Sequence, residues 1–221
     1  MPKKTFFNLQ DNKRNLIISA AVHEFSKNNY KTASINRICK NSSIPKGSFY
    51  QYFTDKLDLY IYIMISAIKE KIRFFSTVTA EFNTLTLLDQ FRLLFLKGME
   101  FARKHPLYAA LGEQFSKEND ESAKSAVIKE GDKLSESLFI QMIENAKTKG
   151  EINKSVDSFA LSLLLQSLNN AVNKYMHNKF GSVSYEHNEE DINSFVDSLL
   201  SIIYYGIRNK NDQELKEVCH E

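Results

Sequence analysis

Between Ser43 and Lys56 the chain reads Ser-Ile-Pro-Lys-Gly-Ser-Phe-Tyr-Gln-Tyr-Phe-Thr-Asp-Lys. Lys46, Gly47 and Ser48 bring a cation, a backbone without a side chain and a small hydroxyl to one place. Close approach to a polyanion such as duplex DNA calls for those groups. A glycine inside a helix costs about 1 kcal/mol against alanine, so Gly47 is expected to serve a purpose. That purpose is either bare backbone near a phosphate or tight packing against a neighbouring helix. Phe49 and Phe53 are four apart, share a helical face and suit a core. Tyr50 falls on another face, where its hydroxyl can reach a phosphate, and Lys56 offers a second cation at the start of the next helix.

The elements that position these groups read as helices. Apolar residues recur at three- and four-residue spacing almost throughout. A first helix is predicted from Asp11 to Lys27, with Ile17, Ala20, Ala21, Glu24 and Phe25 on its inner stripe and Glu24 as the polar interruption. Asn28-Asn29 ends it, asparagine being tolerant of the left-handed conformation. Ser34 can cap a second helix to Asn41, with Ile35 and Ile38 inward. Asn41-Ser42-Ser43 is a turn, Pro45 suits the first position of a third helix, and Thr54 can cap a fourth that runs to Phe75. Two short helices across a tight turn, Ser34–Asn41 and Pro45–Phe53, make a helix-turn-helix.

Residues 76–83 read as a connection. Leu88, Phe91, Phe95, Met99 and Ala102 form a helical stripe that ends near His105-Pro106. Leu107 to Phe115 is of unsettled type. A long helix opens at Asn119 or Asp120 and closes at Gly150. Ser155 caps the next, marked by Phe159, Leu163, Leu164, Leu168, Ala171 and Tyr175. A polar loop spans Gly181 to Glu189, and Ile192, Phe195, Val196, Leu199, Ile202 and Ile203 mark a last helix. The expected fold is all-α with about nine helices.

The positions Ala20-Ala21, Phe25, Tyr30, Ser34-Ile35, Ile38, Ile44 through Phe53, Lys56 and Leu59 together resemble the DNA-binding domain of the tetracycline-repressor (TetR) family over roughly residues 10–60. The resemblance implies a bacterial, cytoplasmic, homodimeric all-helical repressor. An N-terminal helix-turn-helix domain, residues 1–56, would bind a palindromic operator in double-stranded DNA. A larger helical domain, residues 57–221, would dimerise and hold a small-molecule effector. By position, Lys46, Gly47, Ser48 and Gln51 would face the major groove, and Tyr50, Tyr52 and Lys56 would grip the backbone. Ser34, Asn36 and Arg37 would be lesser phosphate or base-edge contacts. Two positions depart from the family. Its usual glycine before the hydrophobic residue of the turn is Ser43 here, and its usual glycine after the first helix is Asn29. A left-handed Ser43 would cost about 1–2 kcal/mol.

For the body, Phe95, Met99, Phe101, Tyr108, Phe115, Phe139, Met142, Phe159 and Gln166 are candidates to line an effector pocket, with ordinary core as the competing reading. Leu164, Leu168, Phe195, Leu199 and Ile203 on the last two helices are candidates for a four-helix dimer interface. Residues 1–60 carry a net charge of +6 and the remainder −4, an asymmetry that suits a basic head on a body with another task. The acidic, Phe- and Met-rich body favours an apolar or cationic effector.

Other classes find little support. The apolar run Leu59–Ile68 is about half of what a membrane span needs, and no signal peptide is read at the N-terminus. Cys39 and Cys219 have no CxxC partner, and the five histidines are scattered, so no metal or cofactor is assigned. An enzyme would want a phosphate loop, a nucleophile elbow or metal spacing, none of which is found; His105 and Glu113 are too little to replace them. A helical interaction module that kept the fold without operator binding is the other alternative, and the Lys46–Lys56 chemistry argues against it.

Overall fold

The computed structural model describes residues 1–75, 80–180 and 189–207, without the side chains of 80, 81, 132–137, 169, 177, 189 and 207. The described residues form helices and no strand. The helices are α1 (Lys4–Phe7), α2 (Asp11–Lys27), α3 (Ile35–Asn41), α4 (Lys46–Tyr52), α5 (Lys56–Phe75), a 3-10 turn (Ala80–Thr84), α6 (Leu87–Lys104), α7 (Pro106–Ser116), α8 (Glu121–Lys149), α9 (Ser158–Phe180) and α10 (Glu189–Ile207). The all-α expectation holds. Two helices add to those located from the sequence: α1, too short to carry a period, and α7, which settles the segment around Leu107–Phe115.

The chain divides into two compact units. One comprises residues 1–76 and 100–133, the other 77–99 and 134–221. In the first, α2, α3, α4 and α5 enclose Ile17, Phe25, Ile38, Phe49, Phe53, Leu59 and Ile63, all fully buried. Phe6 of α1 joins them, with its ring 4.8 Å from that of Phe53 and 5.3 Å from that of Tyr62. Leu111, Ala123 and Val127 pack on the same core from α7 and α8. The second unit is centred on Phe91, Met142, Ile143, Leu161, Leu165, Val172, Met176, Ile192, Val196 and Leu200. Phe91 and Phe139 stack there at 5.4 Å.

Several helix ends differ by a residue or more from the sequence reading, each for a visible reason. Asp55, not Thr54, caps α5: its carboxylate accepts from the Asp58 N–H at 2.8 Å, while Asp58 reaches back to the Thr54 N–H at 3.0 Å. Asp157, not Ser155, caps α9 by accepting from the Ala160 N–H at 2.7 Å. Ser155 is folded into a turn on Asn153 instead. Pro45 is the residue before α4 rather than its first. Neither Asn28 nor Asn29 is left-handed, since Ser43 and Gly150 are the positive-φ residues among those described. Asn28 closes α2 with its side-chain amide on the Glu24 carbonyl at 3.1 Å. Asn29 accepts from the Thr32 N–H at 3.0 Å and hydroxyl at 2.8 Å.

On α9 the stripe read from sequence points the other way at three positions. Phe159, Leu163 and Leu164 are about half exposed, and Leu161, Leu165, Val172 and Met176 face the core. The helix is apolar on two faces, so periodicity alone could not decide which turns inward. The predicted loop from Gly181 to Glu189 lies, apart from its last residue, outside the described residues.

Two helix ends share one geometry. After α8, the Glu151 N–H donates to the Ala146 carbonyl at 3.0 Å and the Gly150 N–H to the Lys147 carbonyl at 3.1 Å, with Gly150 at φ 76°. After α3, the Ile44 N–H donates to Cys39 at 3.0 Å and the Ser43 N–H to Lys40 at 3.2 Å, with Ser43 at φ 53°. Both are Schellman motifs, and buried Ile44 and Cys39 supply the apolar contact that accompanies the second. A side chain at the left-handed position carries strain that glycine lacks. Ser43→Gly is therefore expected to raise stability by about 0.5–1 kcal/mol, after allowance for the glycine's larger unfolded-state entropy. Urea unfolding monitored by circular dichroism checks this; an unchanged or lower midpoint would contradict it.

Candidate nucleic-acid interface

The short helix α4 displays its residues in two sets. Phe49 is fully buried, as is Phe53 just beyond the helix, in agreement with the expected core role. Lys46, Gly47, Tyr50 and Gln51 are exposed and Ser48 is half-buried. A Cβ built on Gly47 would meet nothing within 4 Å. Of the two purposes open to this glycine, packing inside the chain is thereby removed. Open space above bare backbone is what remains.

The turn before α4 fixes its start. Ile44 is buried, and the Ser48 N–H donates to the Pro45 carbonyl at 2.9 Å. Buried Ser42 turns its hydroxyl onto the Ile38 carbonyl at 2.7 Å, so this buried polar group is met.

Helix α3 is held by a buried carboxylate. Glu24 accepts from the Ser34 N–H at 2.9 Å and from the Arg37 guanidinium at 2.5 and 2.9 Å. Arg37 also donates to the Thr32 carbonyl at 2.8 Å. Burial alone would raise the Glu24 pKa, but the Arg37 and Ser34 hydrogen bonds outweigh it and hold the carboxyl below its ordinary range. Ser34 caps α3 by accepting from the Arg37 N–H at 3.4 Å. Of the three lesser candidates, Asn36 and Arg37 are exposed and Ser34 is half-buried, with Ser34 and Arg37 also engaged within the fold.

Two expected phosphate contacts sit differently from the rest. Tyr52 is only 6% exposed and packs toward Phe6, with ring centroids 6.3 Å apart. Lys56 turns its ammonium onto the Lys31 and Ala33 carbonyls at 3.2 and 3.0 Å and lies 4.6 Å from the Tyr30 ring centroid. It stitches α5 to the α2–α3 connection, and burial there lowers its pKa. The Tyr30 N–H in turn donates to buried Glu118 at 2.7 Å. Glu118 also accepts from the Asn119 and Asp120 N–H groups at 3.0 and 2.9 Å, at the head of α8.

The body candidates separate between the two units. Phe101 and Tyr108 stack at 6.1 Å in the first unit, where Phe115 also packs. Met99, Phe139 and Met142 belong to the core of the second, Gln166 is half-buried on α9 and Phe159 is 52% exposed. Phe95 lines an open cavity of about 230 Å³ with Arg92, Leu96, Asn193, Val196 and Asp197. The Arg92 guanidinium pairs with Asp197 at 2.8 Å at that cavity. Of the interface candidates, Leu164 is 49% exposed, while Leu168, Phe195 and Leu199 are half-buried. Phe195 stacks on Tyr175 at 4.1 Å, and Ile203 is buried in the unit's own core. Ile202, read from the sequence as part of the last helix's apolar stripe, is exposed beside the buried stripe, as is Tyr205, which was not among the interface candidates.

Residues 17–63 match the family model of bacterial regulatory proteins, tetR family. The chain carries a tetR-family head. Solved structures extend the likeness along the chain. A TetR family transcriptional regulator from Chloroflexus aurantiacus is 25% identical, with a TM-score of 0.62 over 95% of this chain and 100% of that one. The regulator FadR of Bacillus subtilis, solved with stearoyl-CoA, is 17% identical, with a TM-score of 0.67 over 88% and 99%. FadR of Bacillus halodurans, a fatty acid degradation regulator, is 17% identical, with a TM-score of 0.65 over 89% and 96%. A comparison with curated proteins found no match. In this head, α3 and α4 are the helix-turn-helix, and α4 turns Lys46, Gly47, Tyr50 and Gln51 to solvent. No helix among the described residues is long and apolar enough to cross a membrane.

Two outcomes are expected from this geometry. Gly47→Ala should fold normally and gain up to about 1 kcal/mol of stability, yet weaken binding to duplex DNA by placing a methyl where backbone must approach a phosphate. Unfolding and electrophoretic mobility shift measured on the same sample decide it; DNA affinity equal to wild type would return Gly47 to a passive role. For Glu24, the folded pKa lies below the unfolded one, so its stabilisation is present above the unfolded value, about 4.3, and is lost as pH falls through the folded value. Glu24→Gln should lower the thermal midpoint at pH 7 and flatten its decline below about pH 4.3. Parallel profiles for the two proteins would contradict the sign.

Proposed function

We propose that the protein is a ligand-responsive transcriptional regulator, a homodimer that occupies a palindromic operator and leaves it when a small apolar or cationic effector binds the body. The DNA-binding task falls to residues 1–56, and effector binding and dimerisation to residues 57–221. The observation that carries the reading is the bare face of α4: Lys46, Gly47, Tyr50 and Gln51 are exposed on a helix whose Phe49, with Phe53 just beyond the helix, is locked in the core. Lys46 suits guanine O6 and N7, Gln51 suits adenine, and the Tyr50 hydroxyl suits a phosphate. A two-fold dimer would place two copies of α4 on successive major grooves.

Self-association finds support on α9 and α10. Phe159, Leu163 and Leu164 are 52, 49 and 49% exposed, and Ile202 and Tyr205 are 70 and 71% exposed. Apolar groups so placed favour pairing with the same surface of a second copy. For the effector, the cavity of about 230 Å³ by Phe95 falls short of the roughly 300–1,000 Å³ usual for small-molecule sites. A larger ligand would have to part α6 from α10, breaking the Arg92–Asp197 pair, and a ligand acts only through such a difference between states. The stearoyl-CoA of the Bacillus subtilis structure belongs to that protein; it makes long acyl groups a sensible first series to test here.

Selection from a random-sequence duplex library is expected to enrich a palindrome. Binding to it should fall by a factor of about 1,000 or more between 50 and 200 mM salt, as for several phosphate contacts per dimer. Gln51→Ala should relax preference at one position of each half-site, and the Lys46→Ala, Tyr50→Ala pair should weaken all duplexes. If no sequence is enriched, or if the pair binds as wild type does, the reading falls. In sedimentation, Leu164→Glu with Ile202→Glu should give a monomer; a persisting dimer would place the interface elsewhere.

A further inference from the structure

The far end of α4 is closed by residues from the beginning of the chain. A helix leaves its last four carbonyls without partners of its own. In α4, the Phe49 carbonyl accepts from the Phe53 N–H at 2.9 Å, and the other three are met from outside. The Lys3 N–H donates to the Tyr52 carbonyl at 2.8 Å, the Lys3 ammonium to the Tyr50 carbonyl at 2.8 Å, and the Thr5 hydroxyl to the Gln51 carbonyl. Phe6, fully buried against Phe53 and Tyr62, anchors the segment that delivers them. The ammonium also lies where the negative end of the helix dipole favours a cation.

We infer that Lys3, Thr5 and Phe6 are positioning residues for DNA reading: they clamp the C-terminal end of the recognition helix and so hold Tyr50 and Gln51 in register with the groove. The inference rests on α4 being the reading helix. Every carbonyl in the clamp belongs to a residue at the reading end, and two of those residues, Tyr50 and Gln51, are themselves exposed toward the proposed DNA. A seven-residue helix has no further turn to absorb fraying at that end. Loss of the clamp therefore lets the last turn loosen while the Phe49 side stays packed. Specific contacts, which need the side chains in place, suffer; phosphate attraction, which needs only charge nearby, does not.

The backbone at Lys3 permits a direct test. Its φ of −71° is one that proline adopts, so Lys3→Pro deletes the N–H donor and the ammonium without demanding a new chain path. Lys3→Ala removes the ammonium alone. Thr5→Val removes the hydroxyl at nearly constant shape, and Thr5→Ser keeps it. On the duplex enriched by the full-length wild-type protein, Lys3→Pro is expected to bind about tenfold more weakly, and Lys3→Ala and Thr5→Val about threefold more weakly. Thr5→Ser should match wild type. On a scrambled duplex of equal length, Thr5→Val, Thr5→Ser and wild type should agree. Amide exchange at Tyr50–Phe53 should quicken in Lys3→Pro and remain unchanged along α2. Should Lys3→Pro also lower the thermal midpoint, the charge-neutral Thr5→Val and Thr5→Ser pair decides. Equal affinity of that pair for the enriched duplex, or an equal loss on both duplexes, would overturn the clamp. If the wild-type protein enriches no duplex at all, it is the reading role of α4 that fails.

Discussion

A helix of seven residues does not hold its shape alone in water, because nucleation costs more than two turns of hydrogen bonding return. The tetR-family head carries two such helices, α3 and α4. Everything that gives them a fixed direction comes from elsewhere in the chain. Phe49 and Phe53 pin the inner side of α4 to the core. The Schellman turn through Ser43 and Ile44 sets the angle at which it leaves α3, and Lys3 and Thr5 close its far end. Its outer side is then held by little of its own, the Tyr50 ring edge against Phe49 at 5.2 Å being one such contact.

Buried carboxylates do the fastening where backbone must be held without regular hydrogen bonding. Glu24 reaches from α2 to the Ser34 N–H and the Arg37 side chain, and Glu118 reaches from the α7–α8 connection to the Tyr30 N–H. Each is nearly excluded from water, which makes its partners obligatory: a buried charge left unpaired costs far more than the pair itself contributes. The α2–α3 connection is consequently gripped by Glu24, by Glu118, and by the Lys56 ammonium through the Lys31 and Ala33 carbonyls. Residues from α2, α5 and α7–α8 converge on a few backbone atoms beside the helix-turn-helix.

The sequence spoke clearly wherever one local rule was unopposed. Phe49 and Phe53 share a face by spacing, the α2 stripe is buried as read, and Gly150 ends α8 with a positive φ. Glu24, the polar break in that stripe, was a visible sign of its anchoring role. Where two good choices stood side by side, the wrong neighbour was picked: Thr54 beside Asp55, Ser155 near Asp157. A carboxylate reaches the next turn's N–H with a charge, and that advantage is too small to read without the backbone. On α9, two apolar faces left the inward one undetermined until Leu161 and Leu165 were seen packed. Tyr52 and Lys56 could not be placed by spacing at all. Their surroundings come from Phe6 and from the Lys31 and Ala33 carbonyls, contacts that close only in three dimensions. Residues 3–6 carry no period and no motif, so their grip on α4 left no trace in the sequence.

Cys39 lies in the last turn of α3 and anchors the Schellman turn that leads into α4. Its carbonyl receives the Ile44 N–H, its side chain is 4% exposed, and burial raises its thiol pKa. The thiolate that oxidants and alkylating reagents attack is therefore scarce and shielded while the turn is closed. Reaction at this sulfur has to wait for the helix-turn-helix to open, which makes its labelling rate a clock for how often the head comes apart. An intact head is for the same reason blind at Cys39 to the redox state of its surroundings.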